Sequence, residues 1–439
     1  MDYRVYTLRN LGEIPHISNL SKEELFHIEV AAHVFPFKTN NYVVEKLIDW
    51  RNYHEDPLFL LNFPQKEMLL PHHFDELGDA VRKDDRERIK SIVRDIHFSM
   101  NPHPAGQLKY NVPTIDGVKL KGIQHKYHET VLVFPKRGQT CHAYCTFCFR
   151  WPQFTGYSEL KMGLSDIKVL LEYLKCHPEV TDILFTGGDP LVIKTKGLEE
   201  FILPVIESEL PGLQNIRIGT RVLTYWPNRF LTDDDSAELL HLFRRIVRSG
   251  KHLAIMAHFN HPRELETEEV QEAIARIRET GAEIRTQSPV LRNINDDPDI
   301  WVQMWHRQVE LGCIPYYMFI VRDTGAQHYF GIPLVEAFEI FRDAYRRVSG
   351  LARTVRGPSM SATPGKVMIT GTPEIYGEKV ISLTMIQARN PEWVLRPFFA
   401  NYDEDALWID DLSPAFGKDY FFFEDPDIEF EYFIKRLIR

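Results

Sequence analysis

The sequence predicts an α/β fold in which a parallel sheet forms an open, partial barrel of six strand–helix units. From about residue 130, short apolar runs rich in Val, Ile and Phe alternate with amphipathic helical patterns. Strands that alternate with helices favour a parallel sheet, and six units are fewer than the eight of a closed barrel. Polar and glycine-rich stretches follow the strands, at the end where such folds carry their chemistry.

The boundaries of the units follow from the local patterns. The six predicted strands are residues 130–134, 182–186, 215–219, 252–258, 283–287 and 314–321. Ser165, Thr232, Thr267 and Asp297 are the predicted N-caps of four intervening helices, because their side chains can accept a hydrogen bond from the first turn. Pro298 supports the last assignment, since proline suits the first helical position.

Two further segments complete the predicted domain organisation. Residues 1–110 are a mainly helical N-terminal region, in which Ser21 is followed by the early acidic residues of a helix start. Residues 111–345 are the six-unit core. Residues 346–439 are a C-terminal extension, rich in aromatic and acidic residues, whose Trp408 is predicted to pack rather than to bind a cofactor.

The composition limits the classes of function. Of the 439 residues, 44% are hydrophobic, which suffices for a large core, and the formal net charge of -10 disfavours a general nucleic-acid-binding surface. No apolar run is long enough to span a membrane and no signal-peptide pattern is evident, so a cytoplasmic protein is expected. Three of the five cysteines crowd together, which is typical of a metal site rather than of a disulfide framework.

The clustered cysteines follow the first predicted strand. Cys141, Cys145 and Cys148 form a C-x3-C-x2-C triplet. A structural zinc site usually has four protein ligands, whereas three thiolates fit an iron–sulfur cubane that keeps one iron open. A zinc-stabilised binding module with three structural cysteines remains the non-enzymatic alternative.

This triplet resembles the cluster motif of the radical S-adenosylmethionine (SAM) superfamily. The resemblance implies that the three cysteines hold a [4Fe–4S] cluster whose open iron binds SAM. It further implies that an electron from a donor such as flavodoxin or ferredoxin starts a radical reaction on a bound substrate.

Five further motifs resemble the lysine 2,3-aminomutase family over roughly residues 50 to 390. They occupy residues 182–191, 217–221, 258–262, 287–292 and 315–317. The resemblance implies a pyridoxal-phosphate-dependent migration of an amino group from C2 to C3 of an α-amino acid, in an enzyme that is commonly an oligomer. It also implies that one group of residues binds SAM: Gly187, Gly188, Asp189, Arg221, His258 and Gln287. Glycines there would let the backbone approach a ligand.

Two cationic residues have implied roles beside the cluster and the cofactor. Arg150 stands at the position of the family's arginine for the substrate α-carboxylate, a role that suits a bidentate guanidinium. Lys366 stands at the position of the lysine that carries pyridoxal phosphate. Gly365 before it is predicted to give that lysine mobility.

The sequence also departs from the family at positions that concern the substrate. Arg322 occupies the place of one aspartate that binds the side chain of lysine, although Asp323 is adjacent, and Ser361 and Ala362 offer no second acid. A cation disfavours a cationic substrate, so free lysine is not expected. Arg322 either pairs with an acidic substrate side chain or bridges Asp323. The short turn before the lysine leaves a second enzyme hypothesis, a pyridoxal-phosphate-independent radical SAM enzyme that acts on a peptide or protein side chain.

Overall fold

One large mixed sheet organises the protein, for which a computed structural model describes residues 1–424. The strands are β1 (Val5–Tyr6), β2 (Thr39–Asn40), β3 (Thr114–Ile115), β4 (Val118–Lys119), β5 (Ile123–Tyr127), β6 (Thr130–Val133), β7 (Asp182–Phe185), β8 (Asn215–Thr220), β9 (His252–His258), β10 (Glu283–Val290), β11 (Ile314–Ile320), β12 (Arg356–Ser361), β13 (Gly365–Gly371), β14 (Glu374–Ile375), β15 (Glu378–Ala388) and β16 (Pro397–Asn401). The α-helices are α1 (Lys22–Val34), α2 (Pro57–Asn62), α3 (Pro71–Arg82), α4 (Arg86–Ser99), α5 (Gln107–Tyr110), α6 (Ile167–Cys176), α7 (Thr195–Glu207), α8 (Val222–Tyr225), α9 (Ser236–Arg248), α10 (Glu268–Arg278), α11 (Pro298–Glu310), α12 (Gln327–Phe330) and α13 (Leu334–Tyr345).

The six strands predicted from the sequence, β6 to β11, lie side by side in chain order, and each pairs in parallel with the next. Their apolar residues, such as Ile183 and Ile255, are fully buried. Strand β10 is longer than predicted because Ser288, Pro289 and Val290 continue its pairing with β11. Ser288 and Pro289 interrupt the apolar run, and proline is disfavoured inside a strand, so the sequence did not predict this extension.

Antiparallel strands extend the parallel run on both sides. Strand β5 pairs with β6, while β12 continues in parallel from β11 and is followed by β13, β15 and β16 in antiparallel pairing. The described part of the segment 346–439 therefore adds strands to the same sheet, and residues 425–439 lie outside the described range. Trp408, Phe421 and Phe423 are buried, as expected for packing residues.

Two of the four predicted helix caps are confirmed. Thr267 caps α10 and Asp297 caps α11, each through a side-chain oxygen that accepts a backbone N–H. The predictions for Ser165 and Thr232 are wrong. Asp166 caps α6, and α9 begins after Asp235.

The N-terminal region contains α1 to α5 and is tied to the core by buried polar contacts. Asp56 caps α2 by accepting from the N–H of Phe59 at 2.8 Å, and its other oxygen accepts from Arg263 of the core at 2.5 Å. A second nitrogen of Arg263 donates to the Leu47 carbonyl at 2.5 Å. None of the described helices is long and apolar enough to span a bilayer.

Replacement of Asp56 tests how strongly this contact joins the two regions. Asp56→Ala removes a helix cap and leaves Arg263 without its carboxylate, so we expect the free energy of unfolding in urea to fall by about 2 to 3 kcal/mol. Asp85→Ala is the matched control, because Asp85 is an exposed cap of α4 that accepts only from Arg88. The control should cost about 1 kcal/mol, and equal losses for the two variants would contradict the interpretation.

Candidate active site

A central cavity of about 260 Å³ lies against the large sheet. Each strand from β5 to β13, and also β15, contributes at least one side chain to its wall: Gln124, Leu132, Leu184, Arg217, Met256, Gln287, Tyr317, Ser361, Lys366 and Gln387. The sheet therefore wraps around the cavity. Five of the predicted site residues meet there, namely Arg150, His258, Gln287, Arg322 and Lys366.

The charge of the cavity wall is strongly one-sided. Five basic residues line it, and no Asp or Glu is present among the described lining residues. They are Lys126, Arg150, Arg217, Arg322 and Lys366. Of these, Arg217 forms a two-point ion pair with Asp182 at 2.7 and 2.8 Å. Such a wall suits a ligand with several negative charges.

Arg150 presents an unsatisfied guanidinium to this cavity. Its Nη1 is buried and has no hydrogen-bond partner among the described residues. The guanidinium lies over the rings of Phe134 at 4.4 Å and Phe149 at 4.9 Å. Burial and the nearby Arg322 lower the pKa of Arg150 to about 9, so the group stays charged at neutral pH. A buried, charged guanidinium with an unused donor can bind a carboxylate.

The guanidinium of Arg322 also contacts the Phe149 ring, at 4.7 Å from the ring centroid. It donates from Nη2 to the Ser361 carbonyl at 2.6 Å. No hydrogen bond joins it to Asp323, whose carboxylate accepts from Asn101 at 2.8 Å. The two charges still attract each other, because Arg322 lowers the pKa of Asp323 against the larger effect of burial. Arg322 therefore lacks a direct bridge to Asp323 and keeps donors for a ligand.

Lys366 is the second residue of β13 and extends into the cavity. Its Nζ lies 3.9 Å from the centroid of the Tyr317 ring, and no carboxylate among the described residues pairs with it. Burial, followed by the positive charges of Arg217, Arg356 and Arg322, shifts its pKa well below the usual range. A lowered pKa increases the share of the neutral, nucleophilic amine, which fits the attachment of an aldehyde cofactor.

The mobility predicted for Gly365 is not what the structure shows. Gly365 begins β13 and pairs with Ala388 of β15. A Cβ at this position would lie 2.4 Å from the Gln387 carbonyl oxygen. The glycine is therefore needed for the close approach of two strands, and Lys366 projects from a fixed backbone.

Lys126 is a cavity residue whose importance the sequence alone did not reveal. It lies on β5, is buried, and donates from Nζ to the Ala362 carbonyl. Burial and the neighbouring Arg389, Arg322 and Lys366 move its pKa well below the usual range. In the sequence, Lys126 belongs with Lys136 and Arg137 to the basic stretch that precedes the cysteine motif.

The cysteine loop follows β6 at one end of the cavity, where Phe147 contributes to the wall. The N-terminal region holds this loop through its backbone. The N–H of Tyr144 donates to the Lys38 carbonyl at 2.8 Å, and the Lys38 ammonium donates to the Cys141 carbonyl at 2.7 Å. Thr146 donates through its N–H and its hydroxyl to the carbonyls of Leu61 and Leu60.

The three thiols influence one another. Burial raises the pKa of Cys141, and the charges of Asp189, Cys148 and Cys145 raise it further. Burial and Cys145 raise the pKa of Cys148 to about 12. Among residues 1–424, no three His, Cys, Asp or Glu side chains are close enough to share one metal ion. Three buried thiols in one loop fit the thiolate ligands of an iron–sulfur cluster. Positively charged iron would favour the ionised form of these thiols when the cluster is bound.

Residues 187–189, which were predicted to bind SAM, pack against the start of the cysteine loop. A Cβ on Gly188 would lie 2.5 Å from the backbone nitrogen of Thr140, the residue before Cys141, and Gly187 has a left-handed φ of 139°. Both carboxylate oxygens of Asp189 are used, since they accept from the Thr220 hydroxyl and from the N–H groups of Leu191 and Arg221. These glycines leave space for the loop itself, and Asp189 joins it to the ends of β7 and β8.

Arg221 is also engaged within the protein. Its two terminal nitrogens donate to Glu264 at 2.7 Å and to Asn260 at 2.5 Å. Glu264 is completely buried, and its pKa is raised by burial against the opposing effect of Arg221. The guanidinium of Arg221, which was predicted to bind a ligand, is therefore already engaged in an ion pair with Glu264. Glu264 and Asn260 are residues that sequence reasoning missed.

His258 remains open to a ligand. It ends β9 and lines the cavity, with its ring centroid 5.6 Å from that of Phe147. Its Nε2 is buried without a partner among the described residues, and burial shifts its pKa well below the usual range. A neutral imidazole with an unused nitrogen fits a polar ligand next to the cysteine loop. Gln287, on the adjacent strand β10, faces the same space.

Comparison with known proteins identifies the group to which this arrangement belongs. No protein-family model matches the chain. A protein of Aquifex aeolicus (strain VF5) that bears the name "Putative L-lysine 2,3-aminomutase" is 30% identical over 406 residues, which are 92% of this chain and 95% of the relative. The chain belongs to the lysine 2,3-aminomutase family.

Other relatives agree with the family assignment. L-lysine 2,3-aminomutase of Escherichia coli (strain K12) is 30% identical over 55% of this chain and 68% of its own length, and that of Bacillus subtilis (strain 168) is 26% identical over 95% and 76%. A radical SAM methyltransferase from Sphaerobacter thermophilus is 14% identical over 55% of this chain and 71% of its own, with a TM-score of 0.36. That similarity is too low to inform the fold.

Family membership settles the class of protein. A 2,3-aminomutase moves an amino group within one molecule, so this member of the family is an isomerase and not a zinc-stabilised binding module. As a radical SAM enzyme it uses a [4Fe–4S] cluster and SAM. The cysteine triplet of the loop is the set of thiols in the described chain that fits that cluster.

Replacement of Gly188 tests whether the glycines shape the cluster loop. Gly188→Ala places a methyl group within 2.5 Å of the Thr140 backbone, so we expect the loop to shift and the iron and sulfide bound after anaerobic reconstitution to fall by at least half. Gly12→Ala is the control, because a Cβ there meets no atom within 4 Å. Full iron content in Gly188→Ala would show that the loop does not depend on this contact.

Proposed function

We propose that this enzyme is a pyridoxal-phosphate-dependent 2,3-aminomutase that converts an acidic α-amino acid, such as glutamate, into the corresponding β-amino acid. The observation that carries the proposal is the pair Arg150 and Arg322, two guanidiniums with no hydrogen-bonded carboxylate that both contact the ring of Phe149 in one cavity. A substrate with two carboxylates satisfies both. Free lysine would bring a third positive charge to the same wall, which is electrostatically unfavourable.

The roles of the two arginines follow from their positions. Arg150 is two residues from Cys148 and binds the α-carboxylate, which brings the substrate carbon atoms next to the cluster and SAM. Arg322, after the end of β11, binds the side-chain carboxylate. Phe149 keeps both guanidiniums in place through its ring. Two-point binding of this kind positions a substrate for attack at one carbon atom.

Lys366 is the proposed attachment point for pyridoxal phosphate. Its amine of lowered pKa and the surrounding basic residues suit an aldehyde that carries a phosphate. Lys126, which is buried against the same hairpin, is the proposed partner of that phosphate. When bound, the cofactor stabilises the unpaired electron while the amino group migrates. The apolar part of the wall, which includes Leu132, Leu184 and Met256, limits the access of water to that reaction.

The remaining parts of the proposal concern the surroundings of the site. The sheet that wraps around the cavity is proposed to form the partial barrel of six units, with Asp189 and Arg221 supporting the SAM site and His258 and Gln287 contacting SAM. A cytoplasmic flavodoxin- or ferredoxin-type protein is the proposed electron donor. All five cysteines are free in the described structure, which suits a reducing compartment, and a homo-oligomer is consistent with the family.

Lys366 can be tested by trapping the cofactor. Incubation with pyridoxal phosphate, reduction with borohydride and peptide mass spectrometry should find the pyridoxyl group on Lys366, and Lys366→Ala should remove it. Because burial and neighbouring positive charges lower the pKa of this amine, trapping should depend less on pH between about pH 7 and about pH 9 than that of an exposed lysine.

Lys126→Ala is the matched control for this experiment. It removes the second buried lysine of the cavity, and saturating cofactor should still be trapped on Lys366. A preparation with a full cluster and no trapped cofactor would instead support the second hypothesis, a pyridoxal-phosphate-independent enzyme that acts on a peptide or protein side chain.

The substrate can be tested by an anaerobic screen of amino acids with SAM and a reductant, scored for β-amino products. Glutamate or aspartate should be the preferred substrate. Arg322→Ala should lower kcat/KM for that substrate by roughly a hundredfold, about 3 kcal/mol, because a buried charged partner of the substrate is lost.

The controls separate the substrate side chain from the rest of the site. Arg322→Ala should leave the low rate with alanine unchanged, whereas Arg150→Ala should impair every amino acid. Arg137→Ala removes an exposed arginine that pairs with Glu200, and it should have no effect. Preference for lysine over glutamate would contradict the proposed role of Arg322.

A further inference from the structure

The amine of Lys366 lies on the face of one aromatic ring in the central cavity. Its Nζ is 3.9 Å from the centroid of the Tyr317 ring and 5.4 Å from that of Phe319. No hydrogen bond or ion pair joins this Nζ to another residue of the described part of the chain. The ring of Tyr317 is therefore the contact that places the amine.

The Tyr317 ring is held firmly by its surroundings. Tyr317 is 5% exposed, and its backbone on β11 pairs with Gln287 of β10 and Arg356 of β12. The ring stacks on that of Phe319 with 4.9 Å between centroids, and the guanidinium of Arg356 lies 4.5 Å from its centroid. The ring thus offers Lys366 a surface that is fixed before any ligand binds.

The lysine reaches this ring from an equally fixed backbone. Lys366 pairs with Ser361 of β12 and with Gln387 of β15. Only the side chain of the lysine is then free to move, and confining such a long side chain to one position costs conformational entropy. A contact that holds the amine offsets this cost.

We propose that the face of the Tyr317 ring is the resting place of the Lys366 amine whenever pyridoxal phosphate is not attached to the lysine. The negative face of an aromatic ring attracts the polarised N–H groups of an amine as well as those of an ammonium. Tyr317 is thus a positioning residue that acts through Lys366. The inference rests on the proposed attachment of the cofactor to this lysine.

The resting place is needed when the cofactor passes to the substrate. In that exchange the aldehyde carbon loses its bonds to the lysine nitrogen and forms the same bonds to the substrate nitrogen. The two protons of the incoming amine end on the released lysine, so no further reactant is required. The ring then keeps the released amine in one place until the cofactor returns.

The binding of pyridoxal phosphate tests this role, because a ring that stabilises the free lysine opposes attachment of the cofactor. Tyr317→Leu should therefore bind the cofactor more tightly than the wild type does. The dissociation constant from an absorbance titration of the cofactor-free enzyme should fall about fivefold, which is about 1 kcal/mol. Borohydride trapping on Lys366 confirms the site of attachment.

Three further variants separate the ring face from the rest of the side chain. Tyr317→Phe keeps the face and should bind the cofactor like the wild type. A trifluorinated phenylalanine in place of Tyr317 keeps the shape of the ring but loses the negative charge of its face, so it should behave like Tyr317→Leu even where leucine impairs folding. Tyr316→Leu is the control, because Tyr316 contacts Arg285 and Arg356 and should leave binding unchanged.

The position of the amine can also be tested without the cofactor. In cofactor-free enzyme with isotope-labelled lysine, the ring current of Tyr317 should shift the NMR signal of the ε-methylene protons of Lys366 upfield. The signal is assigned by its loss in Lys366→Ala. The upfield shift should persist in Tyr317→Phe and disappear in Tyr317→Leu.

Unchanged or weaker binding of pyridoxal phosphate in both Tyr317→Leu and the fluorinated variant would overturn the inference, because the ring would then serve packing or the cofactor itself. Equal NMR shifts in the wild type and Tyr317→Leu would overturn it as well. If the cofactor is trapped on Lys366 in no variant and not in the wild type, the proposed function fails, and the NMR shift still decides whether the ring holds the amine.

Discussion

Buried positive charge without balancing carboxylates is the constraint on which the active site depends. Cations removed from water cost several kcal/mol unless they are paired or neutralised. Asp182 satisfies Arg217, but Arg150 and Arg322 lie on aromatic rings and Lys366 is shifted towards its neutral form. The folded chain thus keeps unfavourable electrostatic energy in its cavity. Binding of the proposed anionic cofactor and anionic substrate would relieve that energy, so these ligands should stabilise the folded protein.

The cluster loop depends on parts of the chain that are distant in sequence. Lys38 holds it from the N-terminal region through the Cys141 carbonyl, and Gly188 allows it to lie against the turn after β7. Asp189 joins that turn to the end of β8 through Thr220. A short cysteine motif can be recognised by its spacing, but its geometry is produced by contacts from three separate segments. Folding of the N-terminal region and assembly of the cluster should therefore be coupled.

The sequence was sufficient to locate the six parallel strands, because hydrophobic runs are a local property of the chain that buried strands require. It was not sufficient where neighbouring residues compete for one role. Thr232 has the chemistry of a helix cap, yet α9 starts at Ser236, directly after Asp235, whose carboxylate is fixed by Arg229. The same limit applies to the site: Arg221 was available to a ligand on the basis of sequence, and its partner Glu264 lies 43 residues away. Such pairings arise from the tertiary structure, and local sequence patterns do not predict them.

The turn between β12 and β13 shows how tightly the functions of the cavity are combined. Arg322 donates to the carbonyl of Ser361 and Lys126 donates to that of Ala362, so two wall cations fasten the hairpin from which Lys366 extends. A change at either cation alters both the charge offered to a ligand and the position of the lysine. Their energetic effects should not be additive. A new substrate preference in this chain would therefore require several coordinated changes, and the present specificity is difficult to reach or to leave by single substitutions.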